Sequence, residues 1–188
     1  HSGLRRSGST QPCRHEMTEE RRAGVERLQQ PVVSIHNPSY LVYRYLFRDL
    51  RGAIRRYASG RVLDVGCGNK PYRSYFQRAD SYTGCDIVQS SRRLVDVVCP
   101  ATRLPFEDET FDTVFSTQVL EHIADHAEAF FEIRRVLRRG GHFIFSVPFA
   151  WELHEEPFDY FRFTKYGIRA IADRAAFEQI ELIPNGGK

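Results

Sequence analysis

The sequence predicts an α/β fold, a doubly wound and mostly parallel sheet with helices on both faces. Three observations carry this. From Arg61 onward, apolar strand-like runs alternate with helix-like stretches, the pattern of repeated strand–helix–strand units. Residues 61–68, Arg-Val-Leu-Asp-Val-Gly-Cys-Gly, run an apolar strand carrying the acid Asp64 straight into paired glycines. Tyr82-Thr83-Gly84-Cys85-Asp86-Ile87 repeats the strand-then-acid pattern, with Asp86 about 20 residues after the glycines, where the crevice of such a sheet sets a carboxylate against ribose hydroxyls.

Bulk properties agree with one domain around one core. The chain has 188 residues, 41% hydrophobic and 27% charged, with a formal net charge of +3, ordinary values for a globular protein. The balance is too mildly basic to imply nucleic acid, and the arginines come in scattered pairs such as Arg55-Arg56 and Arg134-Arg135, as on solvated helix faces. No run approaches the roughly 18 apolar residues of a membrane span, and no signal-peptide core is visible at the start. The four cysteines, Cys13, Cys67, Cys85 and Cys99, lack C-x-x-C spacing. They read as reduced thiols of a cytoplasmic protein, and no metal site is expected.

Residues 1–16 have no periodicity and read as a leader or disordered tail, because Met17 is the only methionine. Residues 17–58 read as an N-terminal helical cap. Residues 18–29 are helix-prone and end at Pro31. Asn37-Pro38 then supplies a cap and a first-turn proline, ahead of Tyr40, Leu41, Tyr43, Leu46, Phe47, Leu50 and Ile54 at helical spacing. Residues 59–188 read as a cofactor-binding α/β domain. Strands are expected at 61–65, 82–86, 94–99, 112–116, 142–147 and 178–183, and helices at about 70–78, 124–138 and 165–175. Gly140-Gly141 is expected to end the second of these helices.

Gly66 and Gly68 allow a tight turn and close backbone approach to a ligand. A helix starting there would offer unpaired N–H groups to an anion. Pro71 replaces the last glycine of G-x-G-x-x-G, which weighs against a nicotinamide-dependent oxidoreductase.

Further on stand Leu104-Pro105-Phe106, Phe111-Asp112-Thr113-Val114, Val119-Leu120-Glu121-His122 and Arg135-Val136-Leu137-Arg138-Arg139-Gly140-Gly141. With Asp64-Val65-Gly66-Cys67-Gly68 these resemble, in order, the motifs of class I S-adenosylmethionine-dependent methyltransferases over roughly residues 61–147. The resemblance implies the Rossmann-like class I methyltransferase fold and S-adenosylmethionine as cofactor. That fold usually has a seventh, antiparallel strand, for which no residues are counted after Ile183. An uncovered sheet edge can recruit another chain, so a homodimer is an expectation.

The resemblance also distributes roles. Asp64, Gly66, Cys67 and Gly68 would cradle the amino-acid end of the cofactor, and Asp86 with Ile87 the ribose. The position where the family commonly has an aspartate for adenine is Pro100, which has no side-chain acceptor and no N–H. Ala101 and Thr102 are left to hold the base. Ser116 and Gln118 would line the methionine end, with Leu120 as packing. Glu121 reads equally as an acid favoured by a helix N-terminus or as functional.

Ligands bind outside the carboxyl ends of parallel strands, which points to residues 148–164. His154-Glu155-Glu156-Pro157-Phe158-Asp159-Tyr160-Phe161-Arg162-Phe163-Thr164 resembles a pattern in methyltransferases of polysaccharide biosynthesis. The resemblance implies a small-molecule or glycan-like acceptor. Asp159 and Arg162 read either as acceptor contacts or as an ion pair pinning the loop, and Thr164 as a helix N-cap. His154 and, second, His122 are candidates for a general base, with a loop-organising hydrogen bond as the other reading of His154. The alternative to an enzyme is a catalytically weak protein that binds the cofactor.

Overall fold

The computed structural model describes residues 30–185. The leader, the predicted helix at 18–29 and Cys13 lie outside them.

Helix α1 spans Tyr40–Tyr57. Asn37 Oδ1 accepts from the N–H of Ser39 at 2.8 Å, one step ahead of the helix. Arg55 and Arg56 occupy its last turn, where cations oppose the helix dipole. Five parallel strands follow, β1 (Gly60–Val65), β2 (Ala79–Asp86), β3 (Val97–Val98), β4 (Phe111–Thr117) and β5 (Leu137–Ser146), in the order β3-β2-β1-β4-β5. Helix α2 (His126–Val136) precedes β5 and α3 (Lys165–Arg174) follows it.

Strand alternation sorts the core into two faces. On one, Val62, Phe115 and Ile144 pack against Leu46, Phe47, Leu50 and Ile54 of α1. On the other, Leu63, Val65 and Val114 meet Ile133 and Val136 of α2. Phe130 of α2 joins Ile168 and Ala172 of α3 in a third cluster. Burying each such side chain stabilises by roughly 1.5–3 kcal/mol. α2 is capped by Asp125, whose Oδ1 accepts from Glu128 N. α3 is capped by Thr164, whose Oγ1 accepts from Gly167 N at 3.0 Å, as the sequence predicts.

Several expectations are corrected. No α-helix forms at 70–78. The chain there makes only a short 3-10 turn, Arg73–Tyr75, after Pro71 has removed one N–H. The turn after the glycines therefore offers no helix N-terminus to an anion, and Gly68 N instead donates to Asp86 Oδ2 at 3.0 Å. The strand expected at 94–99 shrinks to two residues, and residues 178–183 form no strand. Gly140-Gly141 do not terminate a helix: α2 ends at Val136 and passes directly into β5. Gly141 is needed for another reason, since a Cβ there would lie 2.8 Å from the carbonyl of Asp112.

No helix among the described residues is long and apolar enough to cross a membrane. Cys67, Cys85 and Cys99 are buried and form no disulfide.

Candidate functional site

The carboxyl ends of β1, β2 and β4 open into a cavity of about 520 Å³, within the range of small-ligand sites. Asp64, Gly66, Cys67 and Gly68 line it, as do Asp86, Ile87, Ala101, Thr102, Gln118, His122 and His154. Nine cofactor candidates and two proton-transfer candidates, separated along the chain, thus meet in one space. Ser116 does not. It is buried behind Thr117, because consecutive strand residues face opposite ways, and Thr117 lines the cavity in its place.

The glycine turn is held by β2. Gly66 N and Cys67 N both donate to the carbonyl of Cys85, at 2.8 and 3.0 Å. Gly66 has φ +74°, and a Cβ there would sit 2.3 Å from a methyl of Val119, another cavity residue. Gly66→Ala is therefore expected to destabilise the fold by at least about 2 kcal/mol through strain and overpacking and to weaken ligand binding. Thermal melts and titration of the same sample check both.

Asp64 is buried and accepts a hydrogen bond from the Tyr82 hydroxyl. Burial pushes its carboxyl up to about 7, against the lowering effect of that bond. The sequence reading gave Asp64 a crevice partner without finding Tyr82. The signal is the sheet register: Asp64 lies opposite Gly84, so Tyr82, two residues earlier on the same face, reaches it diagonally, while Lys70 and Cys67 fill the place of the missing Cβ. Asp86 Oδ1 accepts from Ile87 N at 2.7 Å while Oδ2 accepts from Gly68 N, which fixes the carboxylate at the lip. Pro100 joins Ala101 and Thr102 in the wall. Asp96, close in sequence, faces elsewhere and pairs with Lys70 and Gly84 N.

The other end of the cavity is built by residues 148–164 folded back over the turn Leu120–His122. Tyr160 N donates to the Glu121 carbonyl and Phe163 N to that of Pro148, each at 2.9 Å. Arg162 grips both oxygens of Asp159, at 2.6 and 2.7 Å, and donates to the carbonyls of Trp151 and Glu152. Asp159 and Arg162 thus form the pinning ion pair. His154, Glu155, Phe158, Tyr160 and Trp151 face the cavity. Trp151 meets Tyr43 of α1 edge-on, centroids 6.4 Å apart, closing the mouth from both sides.

His122 Nδ1 lies 3.1 Å from the Phe158 carbonyl. A carbonyl only accepts, so Nδ1 carries the proton and Nε2 the lone pair. Burial lowers the ring's affinity for a second proton, with Glu155 opposing. His154 Nδ1 likewise faces the Glu152 carbonyl at 3.1 Å and Asp159 Oδ2 at 3.2 Å. The loop-organising hydrogen bond expected of His154 therefore exists on its Nδ1. Glu121 is not at a helix N-terminus, since α2 begins five residues later at His126. It is fully buried, and burial pushes it up to about 8.

Comparison with known proteins finds relatives for the stretch that builds this site. Residues 63–145 match the profile of a methyltransferase domain. A phthiotriol/phenolphthiotriol dimycocerosates methyltransferase of Mycobacterium ulcerans is 36% identical over 100 residues, covering 46% of this chain and 36% of that protein. A demethylmenaquinone methyltransferase of Mycobacterium marinum is 32% identical over 115 residues, covering 56% and 50%. The chain thus spans about a third to a half of the length of these curated relatives. Among solved structures, an S-adenosylmethionine-dependent methyltransferase of Mesorhizobium loti superposes with a TM-score of 0.56 at 20% identity, covering 71% of this chain and 81% of that one. The phosphoethanolamine N-methyltransferase 2 of Haemonchus contortus, in complex with phosphomonomethylethanolamine and S-adenosylhomocysteine, gives 0.56 at 22% identity, covering 80% and 46%. At those identities the structural likeness speaks for the fold.

Proposed function

We propose that this chain, whose residues 63–145 match a methyltransferase domain, is a class I S-adenosylmethionine-dependent methyltransferase and that it methylates a small-molecule or glycan-like acceptor. One observation carries the reading. A single cavity has the strand-end carboxylates Asp64 and Asp86 at one end and His122 and His154 between aromatic walls at the other.

The residues present fit the cofactor. Asp86 suits the ribose diol, because a carboxylate offers two acceptor oxygens to two hydroxyls. Asp64, with the Gly66–Gly68 backbone, suits the charged amino-acid end. A cationic group beside Asp64 would favour its ionised form. Backbone at Ala101 and the Thr102 hydroxyl replace the carboxylate that Pro100 lacks. When bound, S-adenosylmethionine supplies an activated methyl group. The protein's own work is alignment, exclusion of water and handling of the acceptor's proton. His122 and His154, each with Nδ1 engaged, have Nε2 to take that proton from a hydroxyl.

The rings of Trp151, Phe158 and Tyr160 suit the apolar face of a sugar or another ring. A lipid-borne acceptor is the second reading, favoured by the exposed Phe149 and Leu153 beside the mouth and by the lipid and quinone substrates in the relatives' names.

The test is calorimetric titration with S-adenosylhomocysteine, with NAD as control. Transfer of labelled methyl to nucleotide-sugars, glycans and a demethylmenaquinol would follow. Micromolar binding of S-adenosylhomocysteine alone, with turnover on a sugar, is the expected result. Binding without turnover on any acceptor would favour the cofactor-binding protein without activity. Binding of NAD instead would overturn the family chemistry.

A further inference from the structure

We propose that Glu121, His122 and His154, completed by Glu155, form a binding site for one divalent transition-metal ion on the acceptor side of the cavity. Ligand atoms of the first three lie within 4.8 Å of one another. His122 Nε2 is 3.9 Å from Glu121 Oε1 and 3.9 Å from Glu155 Oε2. The two imidazoles meet edge to face with centroids 4.8 Å apart. An ion with donors about 2.1 Å away holds them roughly 3–4 Å from each other, so side-chain rotation alone closes this cluster on a metal.

Three further features point to an ion rather than to an incidental polar cluster. Glu121 has 0% exposure, and neither carboxylate oxygen has a hydrogen-bond partner. A buried acid in that state is costly unless it is paired or coordinates a metal. Both imidazoles are oriented as ligands are. Each turns Nδ1 to a backbone carbonyl, and His154 adds Asp159 Oδ2, the outer-shell arrangement that fixes a ligating histidine's tautomer and presents Nε2. Asp159 is itself held by Arg162, so the outer shell is built and not merely adjacent.

Two imidazoles with carboxylates suit Zn²⁺, Fe²⁺, Co²⁺ or Mn²⁺ rather than the all-oxygen sites of Ca²⁺ and Mg²⁺. His122, His154 and Glu155 all line the cavity, so a bound ion would face the acceptor with its remaining positions open. This deepens the proposed function at one point. An acceptor hydroxyl on the ion would lose its proton to solvent, and the histidines would act as ligands instead of bases. The oxygen lone pair would then bond the methyl carbon, whose former bond pair stays on sulfur. Metal binding itself stands independently of methyl transfer.

The reverse of the cysteine-based expectation follows from chain separation. Glu121-His122 and His154 lie on different segments, and nothing in their spacing joins them.

The experiment titrates the whole chain with Co²⁺ alone, read by visible d–d absorption and calorimetry near neutral pH, with neither cofactor nor acceptor present. Saturation at one ion per chain is expected, without the near-ultraviolet bands of thiolate ligation. Glu121→Gln and His154→Gln, each shown to be folded by thermal melting, should weaken it by about 10- to 100-fold. Absence of saturable binding overturns the site, as does binding unchanged in both folded variants or a thiolate spectrum pointing to the cysteines. S-adenosylhomocysteine titration of the same wild-type sample reports separately on the methyltransferase reading.

Discussion

Asp86→Ala is expected to weaken S-adenosylhomocysteine binding by about 30- to 1,000-fold, the loss of two charge-assisted hydrogen bonds worth on the order of 2–4 kcal/mol together. The structure sharpens this in two ways. Asp86 sits at the cavity lip with its oxygens anchored on Gly68 N and Ile87 N, so the carboxylate needs no reorientation to meet a diol. The same anchors mean that alanine also releases the backbone of the glycine turn. Asp86→Asn separates the effects: it keeps one acceptor oxygen, and a loss of roughly tenfold is expected. Calorimetry on both variants, with thermal melts to show that each is folded, is the measurement. Undiminished affinity in a folded Asp86→Ala would remove the ribose from this carboxylate.

Arg162→Met is expected to cost about 3 kcal/mol of stability, the low end of the range for breaking a buried pair, or a fall of roughly 6–12 °C in Tm for a chain of this size. The Asp159 side chain is 1% exposed and that of Arg162 23%. The first would be left as an uncompensated buried charge, while the second keeps some solvent, which moderates the loss. Five acceptor atoms would lose the guanidinium at once, the two Asp159 oxygens and the carbonyls of Trp151, Glu152 and Phe161, so the loop bearing His154 should loosen and ligand binding fall with it. Arg162→Lys should rescue little, because an ammonium cannot make the bidentate grip.

The same pair predicts an acid limb. The Arg162 guanidinium holds the Asp159 carboxyl far below its ordinary value of 3.8. Its folded proton affinity is lower than its unfolded one. Its contribution is therefore complete above the unfolded value and disappears as pH falls below it, through the folded value. Melting curves from about pH 7 down to about pH 3 should show that slope in the wild type and a shallower one in Asp159→Asn.

Much of the site is legible in the chain because its signals are local. A strand running into Gly66-Cys67-Gly68 needs only neighbouring residues to specify a tight turn, and Asp86 needs only its distance from that turn. Both positions survive in the folded molecule unchanged. Thr164 as a cap is legible for the same reason, since its partner Gly167 lies three residues away.

Where the reading and the fold part, a non-local contact has intervened. The run at 70–78 has helical residues but Pro71 at its start, and Tyr72 and Phe76 are drawn into the core against Phe115, so a single 3-10 turn replaces the helix. Ser116 and Thr117 are adjacent in sequence, and only the facing of β4 decides which one meets the cavity. Tyr82 reaches Asp64 because β1 and β2 pair in one register out of the several that their apolar residues would allow. By itself, then, the sequence determined the α/β architecture, the glycine turn and the position of Asp86 at the end of its strand. The tertiary structure alone decided that Glu121, His122 and His154 share one buried corner. Those side chains belong to segments separated by α2 and β5, and they meet because residues 148–164 fold back across the turn at 120–122. No periodicity encodes a meeting that depends on the path of the whole chain.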